Sequence, residues 1–102
     1  MKKLTIIVHA SLQQALADCL RSIEQLDTFI FTHVEEHSNH LEHDPILSAA
    51  DKVVGYVPQV RVDILLKDEH STAVLAAIRQ THCMFKGKGI YWITNLPEAG
   101  EL

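Results

Sequence analysis

Residues 59–66 read QVRVDILL, and their alternation of apolar and polar side chains is the clearest structural signal in the chain. Every second residue is apolar, and these residues are Val60, Val62, Ile64 and Leu66. Arg61 and Asp63 lie between them and point to the opposite face of an extended chain. This period of two predicts a strand with one buried face, which is typical of an antiparallel sheet.

Three further strands and two helices are predicted on either side of this strand. Short runs rich in β-branched and aromatic residues predict strands at residues 4–8, 28–34 and 90–94. Apolar residues at helical spacing predict one amphipathic helix over residues 12–23, with Ser11 as its N-cap, and another over residues 69–80. The order β-α-β-β-α-β predicts the ferredoxin-like fold of the α+β class, with a four-stranded antiparallel sheet and both helices on one face.

Length and composition limit the classes of protein that the chain can belong to. A chain of 102 residues with 47% hydrophobic residues predicts a single domain over residues 1–102 with a substantial core. The net charge of −4 argues against nucleic-acid binding, which needs a basic surface. The apolar run at residues 4–8 is too short for an export signal or a membrane span, so we expect a cytoplasmic protein without membrane insertion.

The predicted sheet has one face that the two helices cannot cover. We expect apolar side chains on it, and we place Phe29, Phe31, Ile64, Tyr91 and Trp92 there, which is too much apolar surface for contact with water. Another copy of the chain is therefore the expected cover.

The segment THVEEHSNHLEHD, residues 32–44, is unusually rich in histidine and acidic residues. The candidate metal ligands in it are His33, Glu35, His37, His40 and His43. Imidazole and carboxylate groups favour copper or zinc over magnesium or calcium. The alternative is a solvated acidic loop whose histidines bind nothing.

Two local geometries would bring these ligands together. If the strand continues past residue 34, His33, Glu35 and His37 share one face. If the segment turns helical, His33 and His37, or His40 and His43, become neighbours on a helix surface. The segment also opens a connection of about twenty residues, 36–57, where a hairpin normally needs about two to five. Loops of that length in a compact domain are usually either functional or disordered.

Two further motifs carry a resemblance to a known family. They are VGYVPQVRVDILL at residues 54–66 and GKGIYWI at residues 87–93, together with a strand that ends in a histidine and an acidic loop. This pattern resembles the PII-like superfamily of trimeric sensors, which includes PII and CutA, and most closely a small branch associated with heavy-metal efflux systems. The resemblance implies a homotrimer without catalytic activity. It also implies that residues 36–57 are the T-loop that contacts a partner, such as an efflux pump or its regulator.

The same resemblance bears on nucleotide binding. PII proteins hold a nucleotide in the cleft between subunits with a glycine-rich turn, and Gly87, Lys88 and Gly89 stand where that turn would be. Ile90 replaces the basic residue that PII places next, and the acidic PEAGEL of residues 97–102 replaces the basic arm of PII. A triphosphate needs several cations or oriented N–H groups, so these departures argue against ATP.

The sequence therefore favours a sensor that binds a transition metal through its histidine-rich loop and regulates a partner such as an efflux system. The alternative is a PII-like signalling protein that binds a nucleotide or small anion near Gly87, Lys88 and Gly89. An enzyme is the weakest hypothesis, because no histidine–nucleophile pair or buried pair of acids stands out.

Overall fold

The computed structural model describes residues 1–39, 55–81 and 89–102. The strands in this part of the chain are β1 (Lys2–His9), β2 (Phe29–Glu36), β3 (Val57–Leu66) and β4 (Ile90–Asn95). The helices are α1 (Gln13–Arg21) and α2 (Ser71–Arg79), which follow 3₁₀ turns at Ala10–Leu12 and Asp68–His70. The elements come in the predicted order.

The four strands form one antiparallel sheet in the order β2-β3-β1-β4. The two central strands, β1 and β3, pair along eight residues, from Lys2 opposite Leu66 to His9 opposite Gln59. With β2 and β4 at the edges, this is the predicted ferredoxin-like arrangement, which is thereby confirmed.

The core lies between the sheet and the two helices. The sheet contributes Leu4, Ile6, Val8, Val60, Val62, Ile64 and Leu66, and the helices contribute Leu16, Leu20, Val74 and Ile78. Because both helices pack against the same set of strand residues, they lie on one face of the sheet. The predicted alternation in β3 is confirmed, since its four even-numbered apolar residues are all buried.

The structure corrects the face that we assigned to Phe29, Phe31, Ile64 and Tyr91. All four residues lie on the helix side, where Phe31 is opposite Val62, Tyr91 is opposite the buried Ile6, and Ile64 is fully buried. Phe31 also meets Phe29 edge to face, with ring centroids 5.9 Å apart. The prediction that Phe31 and Ile64 are enclosed between copies of the chain is therefore wrong.

The other face of the sheet, which we call the open face, is covered by neither helix. Its most exposed large apolar side chains within the described residues are Ile30, Leu65, Ile90 and Trp92, each more than two fifths exposed. The half-buried Ile7 of β1 lies beside Ile90 on the same face. Trp92 belongs to this face, as predicted. At the centre of the face the Thr5 hydroxyl donates to Asp63 (Oγ1–Oδ1 2.8 Å), and the Arg61 Nε donates to the other oxygen of Asp63 (3.1 Å).

The chain enters α1 differently from the prediction. Ser11 is part of the 3₁₀ turn and does not cap the helix. Instead the Nδ1 atom of His9 accepts a hydrogen bond from the backbone N–H of Ser11 at 3.1 Å. The histidine that ends β1 thus stabilises the turn that follows it.

None of the helices found within residues 1–39, 55–81 and 89–102 is long and apolar enough to cross a membrane.

Candidate functional site

The first candidate site lies at the base of the long connection, where β2 ends and β3 begins, and we call this place the neck. Glu36 is opposite Val57 in the ladder, and just beyond this pair the rings of His37 and Tyr56 lie 5.7 Å apart. The His37 Nε2 atom contacts Glu35 Oε1 at 3.0 Å, and both side chains are exposed. Gly55, next to Tyr56, has a φ of 89°, which favours glycine because other residues are strained there.

The open-face side of the neck is held by a second contact. Gln59 is buried, and its amide Nε2 donates to Glu36 Oε2 at 2.5 Å. An amide that donates to a carboxylate is a charge-assisted hydrogen bond, which is stronger than a neutral one. Contacts on both faces of the sheet therefore fix the direction in which the chain leaves β2.

The structure decides between the two geometries considered for the predicted metal ligands. Because β2 continues to Glu36, His33 and Glu35 share a face, and the helical alternative is excluded over β2. His33 and His37 are four residues apart, about 13 Å along an extended chain, which is too far for close neighbours. His33 instead contacts Gln13 of α1 (Nε2–Oε1 2.8 Å).

In the part of the chain that the structure describes, no three His, Cys, Asp or Glu side chains form a group that could hold a metal ion. His40 and His43 lie outside the described residues, so the full set of predicted ligands stays a prediction.

The second candidate site lies between α2 and β4. A cavity of about 250 Å³ is lined by side chains of β1, α2 and β4 and by the backbone next to β4, including Val8, Ile78, Arg79, Gly89 and Tyr91. A larger groove of about 560 Å³ lies between α2 and Ile93 of β4. Leu75 and Arg79 border both this groove and the smaller cavity. Of the predicted anion-binding residues, Gly89 lines the smaller cavity, while Gly87 and Lys88 lie outside the described residues.

Arg79 is the cation of this second site. Its Nη2 atom donates to the Tyr91 hydroxyl at 2.5 Å, and its guanidinium carbon lies 5.2 Å from the centre of the Tyr91 ring. Within residues 1–39, 55–81 and 89–102, no carboxylate pairs with Arg79. The guanidinium is therefore held in place by an aromatic ring and keeps its positive charge available for an anion.

Arg79 is not among the site residues predicted from the sequence. In the sequence it is only a cation near the end of the helix predicted over residues 69–80, where a positive charge suits the helix dipole. Tyr91 is opposite the buried Ile6 and therefore faces the helices. Once Trp92 is placed on the uncovered face, the period of two puts Tyr91 on the helix side, and this was the signal that could have paired Tyr91 with Arg79. The pairing also requires that α2 crosses beside the edge strand β4. Local sequence does not determine this arrangement.

Comparison with known structures identifies the class of protein that this fold defines. The chain is similar to the crystal structure of a DUF3240 family protein from Shewanella baltica OS155, with a TM-score of 0.74, 19% identity, and coverage of 99% of this chain and 94% of that chain. It is also similar to CPII, a nitrogen regulatory PII-like protein from Thiomonas intermedia K12, whose structure holds ADP, AMP and bicarbonate. That likeness has a TM-score of 0.66 and 12% identity, over 99% of this chain and 94% of the other. The fold is therefore PII-like.

Comparison of sequences identifies the family to which the chain belongs. The model of the DUF3240 family, described as a protein of unknown function, matches residues 1–102. The chain belongs to this family. It is also 26% identical over 99 residues to the nitrogen regulatory protein P-II of Rhizobium meliloti (strain 1021), a match that covers 96% of this chain and 88% of that protein. The predicted membership of the PII-like superfamily is thus supported, whereas these likenesses do not address the predicted link to heavy-metal efflux.

Proposed function

We propose that this protein is a non-catalytic PII-like regulator that binds a small anion, such as a nucleotide, in the cavity between α2 and β4. The observation that carries the proposal is Arg79, a guanidinium without a carboxylate partner in the described chain, which borders the same cavity as Gly89. The regulatory names of its relatives support the non-catalytic role, and the ADP, AMP and bicarbonate bound to CPII support this ligand class.

The residues that line the cavity limit the chemical class and the charge of the ligand that it can bind. Its walls are largely apolar, through residues such as Val8, Leu75 and Ile78, and suit the flat face of a nucleobase. Arg79 is the cation among the described lining residues, and its planar guanidinium matches a phosphate or carboxylate in two-point contact. One cation among the described lining residues favours a ligand of low charge, so we propose AMP or bicarbonate as a better candidate than ATP.

The first prediction tests Arg79 directly. Arg79→Gln is expected to weaken binding of AMP by roughly 10- to 150-fold, because a hydrogen bond to a charged group contributes about 1.5–3 kcal/mol. Isothermal titration with AMP, ADP, ATP and bicarbonate measures the change. Arg21→Gln on the exposed surface of α1 removes a cation elsewhere and is expected to leave the affinity unchanged. If none of these anions binds the native protein, or if both variants bind alike, the anion site is refuted.

A second candidate function, transition-metal sensing, is favoured by the contacts of His37. If its Nε2 donates to Glu35, the Nδ1 atom is left to bind a cation, and metal-bound histidines are commonly oriented in this way. We propose that His37 binds copper or zinc together with the predicted ligands His40 and His43, while Glu35 orients the His37 ring. His33, which was also predicted as a ligand, is too far along β2 to bind the same ion. A heavy-metal efflux pump or its regulator would be the partner in this case, as the resemblance implies.

The second prediction concerns this metal site. Replacing His37 and His40 together with alanine is expected to weaken copper or zinc binding at least about tenfold, roughly 1.4 kcal/mol, through the loss of two ligands. Affinity of the native protein should also fall below about pH 6.5, where imidazole ordinarily takes up a proton that competes with metal. Calorimetry with each metal measures both effects. His70→Ala, at the opposite end of β3, is the control, and equal affinities in all three proteins would contradict the prediction.

We further propose that the protein acts as a homotrimer whose subunits cover one another's open faces. The support is the exposed apolar set Ile30, Leu65, Ile90 and Trp92, which exceeds what a solvated sheet face usually carries.

A further inference from the structure

The groove between α2 and Ile93 of β4 combines apolar walls with a positive charge. Its walls include the apolar side chains of Leu75, Ala76 and Ile93, and Arg79 is the charged residue among the described residues that line it. No carboxylate lies among those lining residues. A groove of this kind fits an extended segment that combines aliphatic side chains with a carboxylate.

Ile93 of β4 lines this groove, and β4 is an edge strand of the sheet. All six of its residues are exposed, and Tyr91 and Ile93 remain exposed even though they face the helices. An apolar edge strand is an open template for another chain, and proteins usually cover such edges. We therefore expect another segment of polypeptide to cover both the groove and the exposed edge of β4.

The chain itself supplies a segment of matching chemistry at residues 96–102, which read LPEAGEL and which we call the acidic tail. It carries two glutamates and no cation, and a leucine stands at each of its ends. The backbone N–H of Leu96 donates to Met1 O at 2.9 Å, whereas Glu98, Glu101 and Leu102 are exposed. Extended, seven residues span about 23 Å, whereas the groove follows α2 for nine residues, about 14 Å, so the tail is long enough.

The tail of the same chain does not occupy its own groove, since no residue of 96–102 lines it. The tail leaves β4 after Asn95, so to reach Arg79, which contacts Tyr91 near the start of the strand, it would have to reverse direction and run back about 13 Å. A tail that arrives from a neighbouring molecule needs no such reversal.

We propose that the acidic tail of a second copy docks in the groove between α2 and β4, with a glutamate on Arg79 and a leucine against Leu75 and Ile93. Opposite charge and apolar contact favour this occupant over any segment with basic residues. In a closed ring of identical subunits every tail has a groove to enter, so the contact is compatible with a homotrimer.

The docked tail has a regulatory consequence, which rests on the anion-binding function proposed above. Arg79 borders both the groove and the smaller cavity, so a glutamate of the tail and a bound anion compete for the same guanidinium. The tail thereby lowers the affinity for the anion. Ligand binding in turn releases the tail, because the coupling between two binding events is reciprocal.

A photo-crosslinking experiment on the full chain tests the docking. Leu102→p-benzoylphenylalanine protein is prepared separately with ¹⁴N and ¹⁵N, mixed in equal amounts in urea and refolded together, so that the oligomers contain both isotopes. The refolded protein is irradiated, and the crosslinked peptides are mapped by mass spectrometry. We expect crosslinks between light and heavy copies that join the tail to α2 or β4. Arg79→Gln, or Glu98→Gln with Glu101→Gln, should lower their yield at least about threefold, while Arg21→Gln should not.

The same variants separate this inference from the proposed function. Glu98→Gln with Glu101→Gln should raise the affinity for AMP at least about threefold. Crosslinks confined to copies of one isotope, or to surfaces other than α2 and β4, overturn docking by a second copy. If AMP binds and no such crosslink forms, the docking fails and the anion site stands. If the crosslinks form but no anion binds, the docking stands and the proposed function fails.

Discussion

Ile64→Ala is expected to lower the free energy of unfolding by about 2–5 kcal/mol, a large part of the stability of a small domain. Ile64 is fully buried in β3 and sits between Leu4 of β1 and Phe29 of β2 in the sheet register. Truncation removes apolar surface from the core and leaves a cavity, because a central strand held by two neighbours cannot collapse into the space. Urea unfolding followed by circular dichroism, at a fixed low protein concentration, measures the change.

The neighbouring residue provides a matched control. Leu65→Ala removes a side chain of similar size from the open face, where 53% of Leu65 is exposed. Its expected effect at low protein concentration is within about 0.5 kcal/mol, typical of a surface substitution. A loss for Leu65→Ala as large as that for Ile64→Ala would contradict the assignment of the two residues to opposite faces of β3.

This contrast also explains how much of the fold the sequence could predict. β3 alternates strictly over most of its length, so the period of two alone predicts which of its residues share the buried face. The assignment of Ile64 to the uncovered face was wrong because it separated Ile64 from Val60 and Val62, which have the same parity. The order of elements followed in the same way from the period and composition of each segment. These local signals, combined in one topology, are sufficient for the ferredoxin-like fold.

The face of β2 could not be predicted because its apolar residues do not alternate. Phe29, Ile30 and Phe31 are consecutive, so either parity could have faced the helices. The structure places both phenylalanines on the core and leaves Ile30 62% exposed. Shifting a strand by one residue exchanges its two faces, and only pairing with β3 decides the register.

The candidate sites show the same limit. Glu35 and His37 were predicted to share a face, and their contact at 3.0 Å follows from the spacing of two in an extended chain. Arg79 and Tyr91 are twelve residues apart and come together because α2 crosses beside the edge strand. That proximity is a property of the tertiary arrangement and has no signature in local sequence.

The second large effect is expected at the open face, where Trp92→Glu should weaken self-association at least about 30-fold. Trp92 is 43% exposed, and Thr5 lies directly opposite it in β1, almost fully buried. The polar centre of this face is already paired, since Asp63 accepts from both Thr5 and Arg61, so a second copy can cover the face without leaving these groups unsatisfied. Buried tryptophans at the centre of an interface often contribute about 2–4 kcal/mol, and a buried carboxylate adds a desolvation cost.

Sedimentation velocity over a range of protein concentrations decides this prediction. Native protein is expected to sediment as a trimer at micromolar concentration, and Trp92→Glu as a monomer with unchanged far-ultraviolet circular dichroism. Ala73→Glu introduces the same charge at an exposed position of α2, away from the open face, and should leave the trimer intact. A native monomer at these concentrations would refute the trimer. A Trp92→Glu variant that associates as tightly as the native protein would show that the open face is not the surface where the copies meet, because a charge at its centre cannot be buried without cost.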